Sequence, residues 1–261
     1  SNSYQSSLGG MILGGDYTVT GKDNAKWRSG AAVSVGTGDV KSRGDFNKTK
    51  NDVDFWGIRL YSGWTKDNLS VIGSLGYSRS KNDITQELPS SMQMGSLSAD
   101  IHASAWDVGV KGEYRFETPN VDVIPYAGVH YTHLKTNGFD VTNAGQTVFN
   151  MESDTQNIWS FPLGVAFEKN LKSQNGWMVK PKASVGIIAA AGDLKARSVA
   201  RIPGLDAASS LSTEVVDSIT FAGGLGISAS KGNATFGLTY GIQASENRTG
   251  QAAAVSFRYK F

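Results

Sequence analysis

Cysteine is absent from this chain of 261 residues. That excludes disulfide scaffolds, thiolate-held zinc or iron–sulfur centres, and thiol nucleophiles. A charge excess of either sign is missing too: 25 Lys and Arg against 23 Asp and Glu leave +2. Such a balance gives no reason to expect nucleic acid or a polybasic membrane anchor. Mean hydropathy is −0.25, and no apolar run nears the ~20 residues of a membrane helix. The opening residues do not read as a secretory leader, so a mature or excised piece is expected. Proline is scarce, at 6. What is plentiful is glycine, 31, with 6 Trp, 9 Tyr and 11 Phe. Glycine and aromatics with little proline suit many strands.

The hydrophobic period is two almost everywhere. Over residues 104–116, Trp106, Val108, Val110, Tyr114 and Phe116 alternate with Asp107, Gly109, Lys111, Glu113 and Arg115. A helix would mix these sets and a strand separates them. Trp27, Val33 and Val35 alternate likewise with Arg28 and Ser34, and Trp56, Ile58, Leu60 and Trp64 with Phe55, Arg59 and Tyr61. The pattern recurs over 69–78, 158–168, 177–189, 233–243 and the last eight residues, more weakly over 8–20, 121–133 and 216–229. This predicts about eleven strands of roughly the ~9–11 residues a tilted membrane-crossing strand needs, and no helix.

Connections alternate in length. Tight turns are expected at Gly21–Asn24, Lys66–Asn68, Thr118–Asn120 and Lys231–Asn233, with a modest one over 169–176. Long polar loops are expected over 36–54, 79–103, 134–157 and 190–214. Short turns at one end and long loops at the other are the anatomy of an antiparallel outer-membrane β-barrel.

Alternation does not say which face meets water, but aromatic height does. With the tight turns at the bottom, Trp27, Trp64, Tyr114, Phe116, Trp177, Tyr259 and Phe261 fall at lower strand ends. Trp56, Tyr77, Trp106, Tyr131 and Trp159 fall at upper ends. All lie on the apolar face, and two such bands match the interfacial girdles of a membrane protein. The opposite face is then a wet lumen lined by Arg28, Arg59, Asp107, Lys111, Glu113, Arg115, Lys180, Lys182 and Arg258. The plainer role for these charges is hydration and bracing; the sharper is lining a path for a polypeptide.

Strand direction adds an expectation. Antiparallel closure of an up-and-down barrel needs an even number of strands. Counting back from the C-terminus, the first and last strands run the same way. One strand missing before Ser1 would repair the parity; a strand hidden in 83–103 or 194–214 is the alternative, less simple because it would reverse the loop sides upstream of it.

Ordered stretches resemble the β-barrel translocator domain of classical autotransporters (type V secretion). They are Gly14-Gly15-Asp16-Tyr17, Leu60-Tyr61-Ser62-Gly63-Trp64 through Leu69, Leu75-Gly76-Tyr77-Ser78, Pro125-Tyr126-Ala127-Gly128, Pro162-Leu163-Gly164-Val165, Val179-Lys180-Pro181, and Val255-Ser256-Phe257-Arg258-Tyr259-Lys260-Phe261. The resemblance implies a twelve-strand barrel in the outer membrane, a pore holding a linker helix, and an N-terminal passenger exported to the cell surface. Residues 1–261 would be that barrel, lacking its first strand, linker and passenger. The long loops would be extracellular and the C-terminus periplasmic. Val255, Phe257, Tyr259 and Phe261 resemble the signal read by the barrel-assembly machinery; an apolar, unpaired edge strand suits strand addition. Expected partners are the chain's own passenger, that machinery and outer-membrane lipid. The barrel is expected to be a monomer.

Little points to chemistry. His130 and His133 lie on opposite faces of one strand and do not converge on a metal, as i and i+2 would. No Gly-x-Ser-x-Gly elbow marks a nucleophile. Gly223-Gly224-Leu225-Gly226 precedes no helix, so it is not a phosphate cradle. Some members of the resembled family cut their linker at an Asn pair using lumen acids. No Asn-Asn occurs in this chain, although Glu113 or Asp16 could serve as such an acid. The expectation is a non-enzymatic barrel with no cofactor and no metal. An adhesion barrel working through its loops and an outer-membrane hydrolase are the alternatives.

Overall fold

The computed structural model describes residues 3–43, 48–87, 95–201, 208–214 and 217–261. The strands are β1 (Ser3–Thr20), β2 (Lys26–Arg43), β3 (Lys48–Lys66), β4 (Leu69–Glu87), β5 (Ser96–Tyr114), β6 (Phe116–Glu117), β7 (Asp122–Thr136), β8 (Phe139–Asn143) and β9 (Gln146–Met151). Then come β10 (Asp154–Glu168), β11 (Leu171–Lys172), β12 (Met178–Gly192), β13 (Lys195–Arg201), β14 (Ala208–Glu214), β15 (Ile219–Lys231), β16 (Ala234–Ser245) and β17 (Arg248–Lys260). One 3-10 turn at Lys22–Asn24 is the helical element among the described residues.

Eleven of these strands close into a barrel. The wall runs β1, β2, β3, β4, β5, β7, β10, β12, β15, β16, β17, with β6 and β11 prolonging β5 and β10. Ten neighbour pairs are antiparallel. The last, β17 on β1, is parallel, from Tyr4 opposite Arg248 to Asp16 opposite Lys260. A parallel seam closes an odd number of strands, which the parity rule for antiparallel closure does not allow.

The barrel is sheared. Following cross-strand partners from Thr20 goes through Lys26, Thr65, Ser70, Glu113, Tyr126, Gly164, Gly186, Ala222, Gln243 and Gly250, and ends on Ser6. With ~3.3 Å per residue and ~4.8 Å between strands, that offset tilts the strands by roughly 40° and gives a backbone diameter of about 22 Å.

Strand length departs from expectation. β3, β4 and β5 have 19 residues each, well beyond the ~9–11 needed to cross a membrane. The stretches 36–54 and 79–103 are therefore not loops. They are mostly the upper halves of the β2–β3 and β4–β5 hairpins, paired from Arg43–Lys48 and from Glu87–Ser96 downward. The stretch 134–157 holds the hairpin β8–β9, and 190–214 holds β13–β14. β8 pairs with β5 and β9 with β13, so the wall continues above the barrel. The lower turns are as tight as expected. Asp67 takes φ 53° and Gly232 φ 61°, the left-handed geometry that two-residue hairpin turns require.

The wall has no apolar core. Ile124 and Ala166 are the buried apolar residues among those described, while Leu60, Val185, Phe221 and Leu225 are 54–64% exposed. Apolar exposure around a whole wall far exceeds what a soluble monomer tolerates. Register puts these four, with most of the other exposed apolar side chains, on one sheet face, the outside.

Candidate functional site

The inner face is assembled by parity. Arg28, Arg59, Asp107, Lys111, Glu113, Lys180, Lys182 and Arg258 occupy register positions opposite the exposed apolar set, and Arg115, between β5 and β6, reaches the same side through Asp122 and Glu168. Several of them meet. The Arg59 guanidinium donates both Nη atoms to Asp107, at 2.8 and 2.9 Å, and Nη1 also donates to Ser74 at 3.0 Å. His130 Nε2 lies 2.9 Å from the same carboxylate. That cluster ties β3, β4, β5 and β7 across the inner wall. Glycine makes room for it: a Cβ at Gly76 would strike both Arg59 and Asp107.

A second cluster straddles the seam. The Asp16 side chain is fully buried, with Arg258 Nε at 3.3 Å and the Tyr61 hydroxyl donating to it at 2.8 Å. At the lower rim, Arg115 reaches Asp122 at 2.7 Å and Glu168 at 3.1 Å. Lys111 stands 3.9 Å from Glu113 and over the Tyr126 ring. Lys182 lines an inner cavity of about 560 Å³ with Ser34, Phe55, Ser184 and Gly224. Arg28 stands within electrostatic reach of Tyr61 in the seam cluster, whereas Lys180 and Lys182 join none of these charge clusters. Of the acids and rings that complete them, Asp16 is a lumen acid the sequence already offers and Tyr61 lies on the Arg59 face; Asp122, Glu168 and His130 follow from extending the same alternation.

His133 faces outward, stacks on Trp106 and lies 2.8 Å from Asn157 Oδ1. Among the described residues no group of three or more His, Asp or Glu could hold a metal ion.

Outside, the upper aromatics form a chain of ring contacts: Trp56–Tyr77 at 5.9 Å, Trp106–Tyr131 at 5.4 Å and Tyr131–Trp159 at 4.9 Å, with Tyr77 directly opposite Trp106. Below, Trp27 pairs with Trp64, and Tyr114–Phe116, Phe236–Phe257 and Tyr259–Phe261 are in ring contact.

The family model of the autotransporter beta-domain matches residues 1–241. The chain belongs to that family. It is similar in fold to the beta domain of the Bordetella autotransporter BrkA, at TM-score 0.59 and 17% identity over 93% of this chain and 83% of that one. It also matches the translocator domain of NalP from Neisseria meningitidis (TM-score 0.53, 18% identity, 94% and 82% covered). The transport unit of AIDA-I from Escherichia coli gives TM-score 0.55 at 11% identity, with 89% and 75% covered. In sequence it is 29% identical over 143 residues to the uncharacterized proteins YaiT of Escherichia coli K12 and Salmonella typhimurium LT2. That match takes in 54% of this chain and 14% of each relative. This autotransporter beta-domain is an outer-membrane barrel.

Above the upper girdle the autotransporter wall carries an unforeseen row. Asp39, Asp52, Asp83 and Asp100 are successive cross-strand partners on β2, β3, β4 and β5. Lys41 and Lys50 each approach an aspartate of their own strand, Asp39 and Asp52, at 3.8 Å. A hydrogen bond to Asp100 pushes the Asp83 carboxyl above the usual carboxylate range; Lys81 and His102 oppose that. A carboxyl raised by folding adds stability that is full below the ordinary carboxylate range and is lost as pH rises through the folded value. A spin label at Thr85 should therefore be less mobile near pH ~4 than at pH ~7. Asp83→Asn should remove the difference, and equal mobility in the unsubstituted barrel would contradict this account.

Proposed function

We propose that this barrel anchors an N-terminal passenger and supports its export through the lumen, with the hairpin end outside the cell and the C-terminus in the periplasm. The carrying observation is the inner face. Its charges pair with one another along the wall, and glycine replaces bulk at many inward positions, so the middle of a ~22 Å backbone ring stays open. A helix with side chains is ~10–12 Å wide, which such a lumen admits. In this reading the passenger, the barrel-assembly machinery and outer-membrane lipid are the partners. Val255, Phe257, Tyr259 and Phe261 are the assembly signal, and the barrel performs no catalysis. Lys180 and Lys182, outside the charge clusters, are the side chains offered to the moving chain, with Arg28 at the edge of the seam cluster.

Orientation is tested with protease on intact cells. Cleavage sites placed beside Lys41 and Glu87 should be cut, and a site in the Lys66–Asn68 turn should be protected. The reverse pattern would refute the topology.

The seam is where a further strand of the longer protein would enter, turning the parallel pair into two antiparallel ones. Met11 and Val255 are partners across it. Cysteines at both positions should cross-link in the 1–261 barrel and fail to do so in the full-length protein. Efficient cross-linking in both would exclude an intervening strand.

A further inference from the structure

The outer wall carries cations for which the lumen has no use. Arg79 on β4, Ser104 on β5 and Lys135 on β7 are direct cross-strand partners, and both cations are exposed. They stand two strand spacings apart, about 10 Å. Among the described residues no hydrogen bond or ion pair engages either one. Lys81, two residues farther up β4, is by contrast faced by Asp54 and His102.

Directly beneath run Tyr77, Trp106 and His133, and in the next outward row the girdle rings Tyr131 and Trp159. Beneath those lies an outward apolar groove of about 470 Å³ walled by Gly73, Val108, Val110, Val129, Tyr131 and Trp159. Gly73 keeps it open; a Cβ there would meet nothing closer than 3.8 Å. Above the cations, Asp52, Asp83 and Asp100 repel any anion displaced outward. An isolated snorkelling cation is ordinary at a membrane surface. Two uncommitted cations too far apart for one phosphate, over a slot shaped for hydrocarbon and under an acidic lip, form a site with a defined depth.

We propose that this wall docks one acylated, diphosphorylated glycolipid of the outer leaflet, a phosphate on Arg79, the other on Lys135, and an acyl chain in the groove. Arginine suits the first role, because its fork matches phosphate oxygens. A zwitterionic phospholipid fits less well. It would satisfy one cation and bring an ammonium group against the other. The inference rests on the orientation proposed above, since the hairpin end must meet the outer leaflet.

The test uses the 1–261 barrel refolded in detergent, scored by native mass spectrometry on the heat-modifiable fraction alone. Diphosphoryl lipid A, monophosphoryl lipid A, cardiolipin and phosphatidylethanolamine are titrated separately. One diphosphoryl lipid A should be retained, and Arg79→Ala with Lys135→Ala should weaken it by about tenfold or more. Gly73→Leu, which fills the groove, should weaken it as well. Lys41→Ala with Lys50→Ala should not. Retention by the Arg79/Lys135 variant, equal loss in the Lys41/Lys50 variant, or equal retention of cardiolipin or phosphatidylethanolamine would each overturn the assignment. Binding in detergent is indifferent to how the barrel sits in a cell, so a reversed protease pattern would sink the orientation without altering this result.

Discussion

Replacing Phe261 by aspartate should strongly lower the amount of inserted barrel in cells while leaving refolding in detergent nearly unchanged. The ring is 81% exposed, touching Tyr259 at 4.9 Å and covering Gly15. So little buried area limits the folded-state cost to under about 1 kcal/mol, against ~1.5–3 for a wholly buried side chain. The substitution also spares the backbone bond from Phe261 N–H to the Asp16 carbonyl, 2.8 Å. Any large effect must therefore arise before the barrel is closed, when the last strand is still an open edge to be recognised. Inserted protein is read by heat-modifiable mobility from membranes, and refolding by the same shift in vitro. Normal insertion in cells would end the signal reading. Equal failure in both assays would make the ring structural.

Asp16→Ala should be the most destabilising single substitution in the lumen of the 1–261 barrel. Its carboxylate has no solvent exposure and takes the Tyr61 hydroxyl and the Arg258 guanidinium from strands on either side of β1. Removing one member of a buried charged pair costs about 3–5 kcal/mol. Arg258 is 38% exposed and can recover some hydration, so roughly 2–4 kcal/mol is expected. Denaturant midpoints in detergent measure it. Asp16→Ala combined with Arg258→Met should lose less than the two singles added, because each single already forfeits the shared interaction. Strict additivity would show that the two side chains do not stabilise each other.

The membrane-embedded part was readable because lipid and water impose opposite demands on alternate residues. Arg59 between Ile58 and Leu60, or Asp107 between Trp106 and Val108, admits one assignment of faces. The girdle rings were readable for a similar reason, each standing where its strand's apolar run ends. Above them both faces are wet, and the signal disappears. Residues 48–54, Lys-Thr-Lys-Asn-Asp-Val-Asp, read as loop although they pair residue by residue with β4. The row of four aspartates went unseen because each was taken as loop polarity. Partnerships such as Asp16 with Tyr61 and Arg258 depend on shear and on the hand of the seam. Those are properties of the closed ring and have no local trace in the chain. Strand directions were legible in the alternation of short and long connections, whereas the parallel pairing of β17 with β1 has no local signal.

The unbroken run of β2 to β5 from lower turn to upper hairpin has a mechanical side. A load applied at a hairpin tip acts nearly along the strands. Cross-strand hydrogen bonds perpendicular to that load bear it together, in shear, whereas a load across the strands would part them singly, like a zipper. From Lys48 to Lys66, every residue of β3 has a partner on β4, so tension on the exposed end is shared by rungs on both sides of the membrane surface. The tall hairpins are thus tethers as well as rims, and pulling along them should be resisted far longer than prying them apart.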